Sequence, residues 1–310
     1  MTDAHDPVKH FAECRNELIG LGYRMTGSLA TAEDIAQDVF LRWHATDRLK
    51  VDAPRSWLLK TAMRLSLDHL KSAQHRREHY VGPWLPEPLL VESVLPQEAS
   101  CERAQDLSVA FLLTLQRLTP AERAVFILHD LFETPFAELA NLLGRTEMAC
   151  RKLATRARAH LTTDTPRQVS TDIKLEEISH AFLTASRDGD ESALRGLLAE
   201  DVVLHTDGGG LRPAARNLIS GTEKVSRFFA GLARKRTAAS PLLHVGHINT
   251  LPGFVTLEAD GLLQTTSLEI RNDRITVIYI VRNPDKLHGV QYQIDAFRNK
   301  HKKAGLSVIS

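Results

Sequence analysis

The stretch that most constrains the fold of this chain is residues 118–161, where the spacing of apolar residues predicts three short helices. Pro120 suits the first position of a helix, because proline lacks the N–H group that has no partner there. Gly144 follows the short apolar stretch Phe136–Leu143, and glycine readily adopts the left-handed conformation of a tight turn. Thr146 is placed to cap the next helix through its hydroxyl group. Two helices joined by such a turn have the pattern of a helix-turn-helix.

The last of these helices is predicted to be apolar on one side and cationic on the other. At 3.6 residues per turn, its apolar side consists of Cys150, Leu153, Ala154, Ala157 and Leu161. The residues predicted to bind duplex DNA are Arg145, Arg151, Lys152, Thr155 and Arg156. Guanidinium groups can donate two hydrogen bonds to a guanine edge, so such a helix suits the major groove. A charged face that is merely solvated is the alternative, but the glycine turn and the one-sided charge favour DNA.

Composition bounds the size and class of the chain. Its 310 residues, 43% hydrophobic and 25% charged, suit a soluble globular protein of about two domains, or of three small ones. The formal net charge of +1 does not support nucleic-acid binding by itself, so that interpretation depends on local separation of charge. Cys14, Cys101 and Cys150 are scattered, so we expect no disulfide framework, metal site or cofactor. No apolar run approaches the ~20 residues of a membrane span, and the polar N-terminus is unlike a secretion signal. We therefore expect a cytoplasmic location.

The N-terminal third is predicted to contain three helices, of which the second has an acidic outer face and the third is mainly basic. The first helix ends at Gly27. The second is predicted to begin at Thr31, and Asp34, three residues later, completes a capping-box pattern. The outer face of the second helix is acidic, which indicates either simple solvation or a docking surface for a basic partner. The third helix, after Pro54, is mainly basic outside its apolar side. Aromatic residues beside cationic ones can stack on unpaired bases, but we expect Trp43, like Trp57 on the third helix, to be a core residue.

Three segments follow one another in the order and spacing of a known family: AEDIAQDVFLRWH, PRSWLLKTAMRLSLDHL and LTPAERAVFILHDLFETPFAELANLLG. The chain resembles the extracytoplasmic-function sigma factors of bacterial RNA polymerase. The first two segments match sigma region two and the third matches sigma region four, and together they cover about half of the chain. The resemblance implies two all-α sigma domains, with the polymerase core and promoter DNA as partners.

The resemblance also implies roles for individual residues. The residues that would bind the polymerase clamp are Asp34, Gln37, Asp38 and Arg42. Those that would capture the melted −10 strand, with the loop at residues 48–53, are Lys60, Arg64, Asp68 and Lys71. Many family members carry asparagine at the position of Arg64. Region four would bind the polymerase flap and would contact the −35 duplex through the five residues assigned above to DNA.

The composition and the residue pattern of the second half of the chain predict a further domain, and those of residues 79–104 predict a linker. Proline and glycine exclude regular structure from most of residues 79–104. This linker contains large apolar residues, among them Trp84 and Leu85, whose exposure to water is unfavourable. The linker therefore either packs along a domain or serves as a docking strip. After residue 170, predicted helices are followed by four alternating strands, with PG, DG and ND as hairpin turns. This order predicts an α+β domain with a curved sheet wrapped on helices, similar to the SnoaL-like cone fold of the NTF2 and ketosteroid-isomerase type.

Three short motifs, WLPEP in the linker, DGGG at residues 207–210 and NPDKL at residues 283–287, resemble the SigJ-like subgroup of these sigma factors. The resemblance implies that the fused domain regulates the sigma core. We hypothesise that it contacts region two and the linker and biases how the two DNA-binding regions are spaced. The residues assigned to this interdomain role are Trp84, Leu85, Pro86, Asp207, Gly208, Gly209, Gly210, Asn283, Pro284, Asp285 and Lys286.

The predicted organisation is region two at residues 7–78, the linker at 79–104, region four at 105–163, the SnoaL-like domain at 170–288 and a basic tail at 289–310. The tail is either a frayed terminus or an arm that contacts the sigma core or DNA phosphates.

Two competing functions remain open. The candidate acid–base residues of an enzyme are Asp201, His205, Asp207, His244 and His247. Fold does not imply chemistry, so we expect no catalysis, although an unknown small ligand of the domain stays open. The other competitor is a ligand-sensing helix-turn-helix regulator that acts without core polymerase.

Overall fold

The computed structural model of the chain describes residues 7–47, 50–77, 80–90, 107–161, 172–235 and 240–303. The chain divides into two compact units. The helical unit consists of Met1–His79 and Ala110–Thr165, and the α+β unit consists of Tyr80–Val109 and Pro166–Ser310.

The helical unit is built from two groups of helices. The first group is α1 (Pro7–Thr26), α2 (Leu29–Ala45) and α3 (Pro54–Arg77). The second is α4 (Val109–Arg117), α5 (Pro120–Phe126, continued by one π-helical turn, Ile127–Leu131), α6 (Phe136–Leu143) and α7 (Glu147–Leu161). Trp43 is 1% exposed and its ring lies 5.3 Å from that of Trp57, which is half-buried. Trp43 is therefore a core residue, as expected.

Local capping explains where these helices begin. The predicted start of the second helix at Thr31 is wrong, because Ser28 caps α2 by accepting a hydrogen bond from the Thr31 N–H group. Ser28 precedes the first apolar residue of the helix, as a cap should. Thr119 caps α5 in a reciprocal capping box with Glu122, and Pro120 takes the first helical position as predicted.

The α+β unit has a sheet wrapped on helices, as the sequence predicts. Its elements are α8 (Asp172–Asp188), α9 (Glu191–Leu197), β1 (Leu198–Asp207), β2 (Ile219–Ser220), α10 (Thr222–Lys235), β3 (Leu242–Ile248), β4 (Leu251–Leu257), β5 (Leu263–Arg271), β6 (Arg274–Val281) and α11 (His288–Lys303). Within the described residues the strand order is β2-β1-β6-β5-β4-β3, with β1 parallel to β6 and the other neighbours antiparallel. The core lies between the sheet and the helices, where Phe182 and Phe229 meet edge to face at 5.1 Å.

One prediction for this unit is wrong. The PG pair, Pro252 and Gly253, lies inside β4, and the hairpin turns instead at Asn249 and Thr250, which have φ of 49° and 65°. Asparagine tolerates this left-handed conformation. The predicted tail at residues 289–310 is helical as far as Lys303, while side chains from residue 297 onward lie outside the described part. No helix among the described residues is long and apolar enough to cross a membrane.

Candidate nucleic-acid interface and linker contacts

The helix-turn-helix of residues 136–161 has the geometry that the sequence predicts. Gly144 has φ 61° and ψ 39°, the left-handed conformation that ends α6. Two residues on, the Thr146 hydroxyl accepts a hydrogen bond from the Ala149 N–H group at 3.2 Å and so caps α7. The turn is therefore specified by the two residues that locally favour it.

The two sides of α7 are as different as predicted. Its buried residues are Cys150, Leu153, Ala154 and Ala157, and burial raises the pKa of the Cys150 thiol. All five residues assigned to −35 DNA are exposed. Arg151 also pairs with Glu147 at 3.3 Å and lies 4.6 Å from the centre of the Phe136 ring, so its guanidinium is held near α6. Lys152 and Thr155 lie more directly opposite the buried side, at the centre of the exposed face.

The residues assigned to the polymerase clamp share the outer face of α2. Asp34, Gln37, Asp38 and Arg42 are exposed, whereas Ile35, Ala36, Val39 and Trp43 are buried. The structure thus brings the four assigned residues onto one surface.

The residues assigned to the −10 strand all lie on α3, but they have different surroundings. Arg64 is exposed, and Asp68 pairs with Lys71 at 3.0 Å. Lys60 instead pairs with Glu138 of α6 at 3.1 Å. Residues 48 and 49 of the assigned loop lie outside the described residues.

Glu138 joins α3 to the helix-turn-helix, a contact that sequence reasoning missed. One of its carboxylate oxygens accepts a hydrogen bond from the Ser56 hydroxyl at 2.8 Å as well as pairing with Lys60. The Ser56 hydrogen bond, followed by Lys60, lowers the pKa of Glu138. Nearby, the buried Arg123 donates to the backbone oxygen of Met25. Region two and region four therefore pack against each other within the helical unit.

In the α+β unit, Asp207 at the end of β1 is the centre of the linker contacts. This residue is completely buried. One carboxylate oxygen accepts hydrogen bonds from the Tyr80 hydroxyl at 2.5 Å and the Gly209 N–H group at 3.0 Å. The other accepts from the Leu85 N–H group at 2.8 Å and from Lys286 Nζ at 2.7 Å. Donors from the linker, the β1 turn and the segment after β6 thus converge on one carboxylate.

Lys286 and Tyr80 make further contacts around this carboxylate. We call the group formed by Tyr80, Leu85, Asp207, Gly209, Asn283 and Lys286 the Asp207 cluster. Lys286 Nζ also donates to the backbone oxygen of Leu85 at 2.6 Å and lies 4.4 Å from the centre of the Trp84 ring. The Tyr80 hydroxyl accepts a hydrogen bond from Asn283 Nδ2 at 2.9 Å. Burial, and then the neighbouring Asp207 carboxylate, raise the pKa of Tyr80 well above its usual value. The two sequence motifs at 207–210 and 283–287 are therefore close together and in contact with the linker.

The glycines after Asp207 permit this close approach. Gly209 and Gly210 have φ of 61° and 73°. A Cβ atom on Gly209 would lie 2.4 Å from Asn283 Nδ2, and one on Gly208 would lie 2.3 Å from the backbone oxygen of Arg212. Such distances exclude a side chain at both positions. The neighbour of Gly208 is backbone, as expected, whereas that of Gly209 is the Asn283 side chain.

Further contacts hold the rest of residues 80–90, which we call the docked segment. The Asn249 N–H group donates to the Leu89 backbone oxygen at 2.8 Å, and the Leu89 N–H group donates back to Asn249 Oδ1 at 3.1 Å. Asn249 Nδ2 also donates to the backbone oxygen of Leu107, at 3.1 Å. Leu85 and Leu89 are at most 1% exposed. Of the two alternatives for the linker, the described residues therefore take the first, packing along a domain.

A cavity of about 290 Å³ opens elsewhere in the α+β unit. It is lined by the aromatic residues Phe182, Phe229 and Phe254 and by charged residues that include Lys235, Glu258, Asp260 and Arg282. Among the described residues that line it, none belongs to the candidate acid–base set, and Asp207 of that set is engaged by the linker. The described residues also hold no group of three or more His, Cys, Asp or Glu side chains arranged for a metal ion.

Comparison with known proteins agrees with this architecture. A family model described as Sigma-70 region 2 matches residues 10–76, and one described as Sigma-70, region 4 matches residues 108–161. The chain is 37% identical over 295 residues to the ECF RNA polymerase sigma factor SigJ of Mycobacterium tuberculosis, covering 91% of this chain and 93% of that protein. It is 28% identical to the probable ECF RNA polymerase sigma factor SigI of the same species, over 94% and 98% of the two chains. The crystal structure of the M. tuberculosis extracytoplasmic function sigma factor SigJ superposes with a TM-score of 0.71 and 33% identity, covering 91% of this chain and 98% of that one.

Proposed function

The chain belongs to the extracytoplasmic-function sigma factors of bacterial RNA polymerase, and on that premise we propose that its α+β unit controls promoter use by holding the linker between the two DNA-binding regions. Directing the polymerase to promoters and initiating transcription is the function of the family. The proposal concerns what the fused unit adds, and the Asp207 cluster is the observation that carries it. Region two is proposed to bind the polymerase clamp and the −10 strand, and region four to bind the flap and the −35 duplex.

Tethering is the physical basis of this control. Residues 78–108 connect α3 to α4, and a chain of that length can span roughly 100 Å when fully extended. When the docked segment and Leu107 are both held on the α+β unit, only residues 78 and 79 separate α3 from the held segment. The two DNA-binding regions then move only as far as the held linker permits. Release of the linker restores its full reach.

The distance between promoter elements makes this reach important. Elements named −10 and −35 lie about 25 base pairs apart, roughly 85 Å of duplex at 3.4 Å per base pair. A linker of 31 free residues reaches across that distance, whereas a short held one does not. Docking is therefore proposed to favour the form that does not bind promoters, and polymerase or a signal to favour the released form. A partner can shift this equilibrium only by binding the two forms with different affinity.

In vitro transcription with core polymerase tests the proposal. Full-length wild type is compared with Asp207→Asn, which weakens the docked state, and with Glu223→Gln, which neutralises an exposed carboxylate paired with Arg227 in the same unit. We expect Asp207→Asn to alter both the yield of transcript and the tolerated spacing between the promoter elements, and Glu223→Gln to leave both unchanged. Equal yield and equal spacing preference for all three proteins would remove the regulatory role while leaving the sigma-factor function intact.

A small ligand of the α+β unit is a second candidate, favoured by the aromatic cavity. Its volume of about 290 Å³ lies at the lower end of the range of small-molecule pockets, roughly 300–1,000 Å³. We propose a small ligand of that size that carries both polar and apolar groups, because charged side chains such as Lys235 and Glu258 line the cavity together with the edges of the core. A ligand from a library of small metabolites should raise the unfolding temperature of the full chain. Thr266 also lines the cavity, so Thr266→Met, which fills part of it, should abolish the rise. A rise that persists in Thr266→Met would place the ligand elsewhere.

A further inference from the structure

Met148, in the first turn of α7, is the residue that the assigned DNA-binding set leaves out. Its side chain is 68% exposed, more than the other exposed apolar residues of the helical unit, Val8 at 55% and Leu41 at 57%, among those described. A methionine in this position contributes nothing to the core, since the buried side of α7 is formed by Cys150, Leu153 and their neighbours.

The helical period places Met148 in the middle of the exposed face. Residues 148, 152, 155 and 159 recur at spacings of four and three, so they form one row along α7. This row is opposite the buried side, and all four of its residues are exposed. Met148 therefore stands in line with Lys152 and Thr155, one turn nearer the N-terminus of the helix.

Position and chemistry together indicate a contact with a base. In a helix-turn-helix, the N-terminal residues of the second helix contact base edges in the major groove. The apolar feature of that groove is the C5-methyl group of thymine, which apolar side chains recognise. Methionine is flexible and polarizable, so it adapts to such a surface. Removing both apolar groups from water stabilises the complex.

We propose that Met148 is a specificity-determining residue that contacts the methyl group of one thymine in the −35 element. The inference rests on the proposed role of region four in binding the −35 duplex. It adds a hydrophobic contact to a face otherwise assigned to cationic and hydroxyl groups. It also predicts that an A·T pair, in one orientation, is required at the position under the first turn of α7.

Deoxyuridine, which lacks only the C5-methyl group of thymine, provides the test. Promoters transcribed by the wild-type holoenzyme are first selected from a random library, and each thymine of the −35 element is then replaced by deoxyuridine in turn. Binding of the full-length holoenzyme should fall about fourfold at one position, the factor for one buried methyl-sized group. Met148→Ala should bind the thymine and deoxyuridine duplexes equally at that position, and Met148→Leu should restore the preference.

Two controls separate this result from other causes. Leu218→Ala removes an equally apolar side chain, 50% exposed, from the α+β unit and should retain the wild-type profile. Met148→Ala should unfold at the wild-type temperature, because the side chain lies in solvent. The proposal is overturned if Met148→Ala shows the wild-type profile at every thymine, or if no deoxyuridine substitution affects wild type. Absence of any transcript from the library with wild type would instead refute the sigma-factor assignment, and this inference with it.

Discussion

Substitution of Asp207 by asparagine perturbs the linker more than any other single change that the structure suggests. The side chain is completely buried and accepts four hydrogen bonds, one of them from Lys286, whose side chain is only 12% exposed. Asparagine has nearly the same shape, but its NH2 group would face donors instead of accepting from them. The lysine would also lose its counter-charge. Removal of one partner of a buried ion pair costs about 3–5 kcal/mol.

The expected shift in unfolding temperature follows from that free energy. For a unit of this size, each kcal/mol shifts the midpoint by roughly 2–4 °C, so we expect the α+β unit of Asp207→Asn to unfold about 6–20 °C below wild type. Differential scanning calorimetry of the full chain measures this shift. Glu223→Gln is the matched control, because its exposed pair with Arg227 spans one helical turn and is worth only roughly 0.3–0.5 kcal/mol.

Protease cleavage separates release of the linker from general loss of stability. Chymotrypsin cuts after large aromatic residues, and the docked segment offers Tyr80 and Trp84, which are half-buried. At temperatures well below the midpoint of either protein, cleavage there should be faster in Asp207→Asn than in wild type. Adding Lys286→Met should recover part of the stability, since it removes the unpaired buried charge. A midpoint within about 2 °C of wild type, together with unchanged cleavage, would refute the view that this carboxylate holds the linker.

Three other perturbations test the remaining contacts. Glu138→Gln removes the charge that holds Lys60, a half-exposed pair worth about 0.2–1 kcal/mol, so promoter affinity should rise by up to about fivefold in fluorescence anisotropy; an equal rise in Glu223→Gln would mean a general charge effect. Because the pKa of Tyr80 is raised by folding, wild type should lose stability as pH rises above about 10, the unfolded value. Tyr80→Phe should lose less in urea titrations at pH 9 to 11, and parallel curves would contradict the buried contact. Lys152→Ala should weaken binding to promoter duplex and reduce the salt dependence by about one counterion; an unchanged slope between 50 and 200 mM salt would exclude a phosphate contact.

The features that sequence predicts well in this protein are those determined by neighbouring residues. The helix-turn-helix follows from Gly144, which readily adopts the left-handed conformation of the turn, and from Thr146, which caps the next helix two residues later. Alternation of apolar residues likewise predicts the strands of the α+β unit. The errors are also local and have simple causes. Ser28 is a better-placed cap than Thr31, and Asn249 supplies the turn that the PG pair was expected to make.

The site could be predicted only in part, because its contacts join residues far apart in sequence. The motifs around Asp207 and Lys286 are visible in the sequence, but the partner that meets them, Tyr80, is 127 positions from Asp207. A lone tyrosine in a proline-rich linker carries no signal of such a partner. Glu138 and Ser56 are similarly separated by 82 positions. Periodicity shows which face of a helix is buried, but it does not show which distant side chain covers that face.

Comparison of the two linkages indicates where the control of promoter binding lies. If α3 binds the −10 element and the helix-turn-helix binds the −35 element, as proposed, then binding both at once requires α3 and α6 to separate, since Lys60 and Glu138 are only 3.1 Å apart whereas the elements are roughly 85 Å apart. That ion pair is 36–38% exposed and contributes about 1 kcal/mol at most, so it opposes opening weakly. Linker release leaves the Asp207–Lys286 pair in place within the α+β unit, but it breaks the hydrogen bonds that Tyr80 and Leu85 donate to the buried carboxylate, each worth about 1.5–3 kcal/mol. The polymerase must therefore supply more differential binding energy against the Asp207 cluster than against the Lys60–Glu138 pair if linker release accompanies opening. It follows that Asp207→Asn should lower the polymerase concentration needed for half-maximal transcription more than Glu138→Gln does, and the reverse order would place the control within the helical unit.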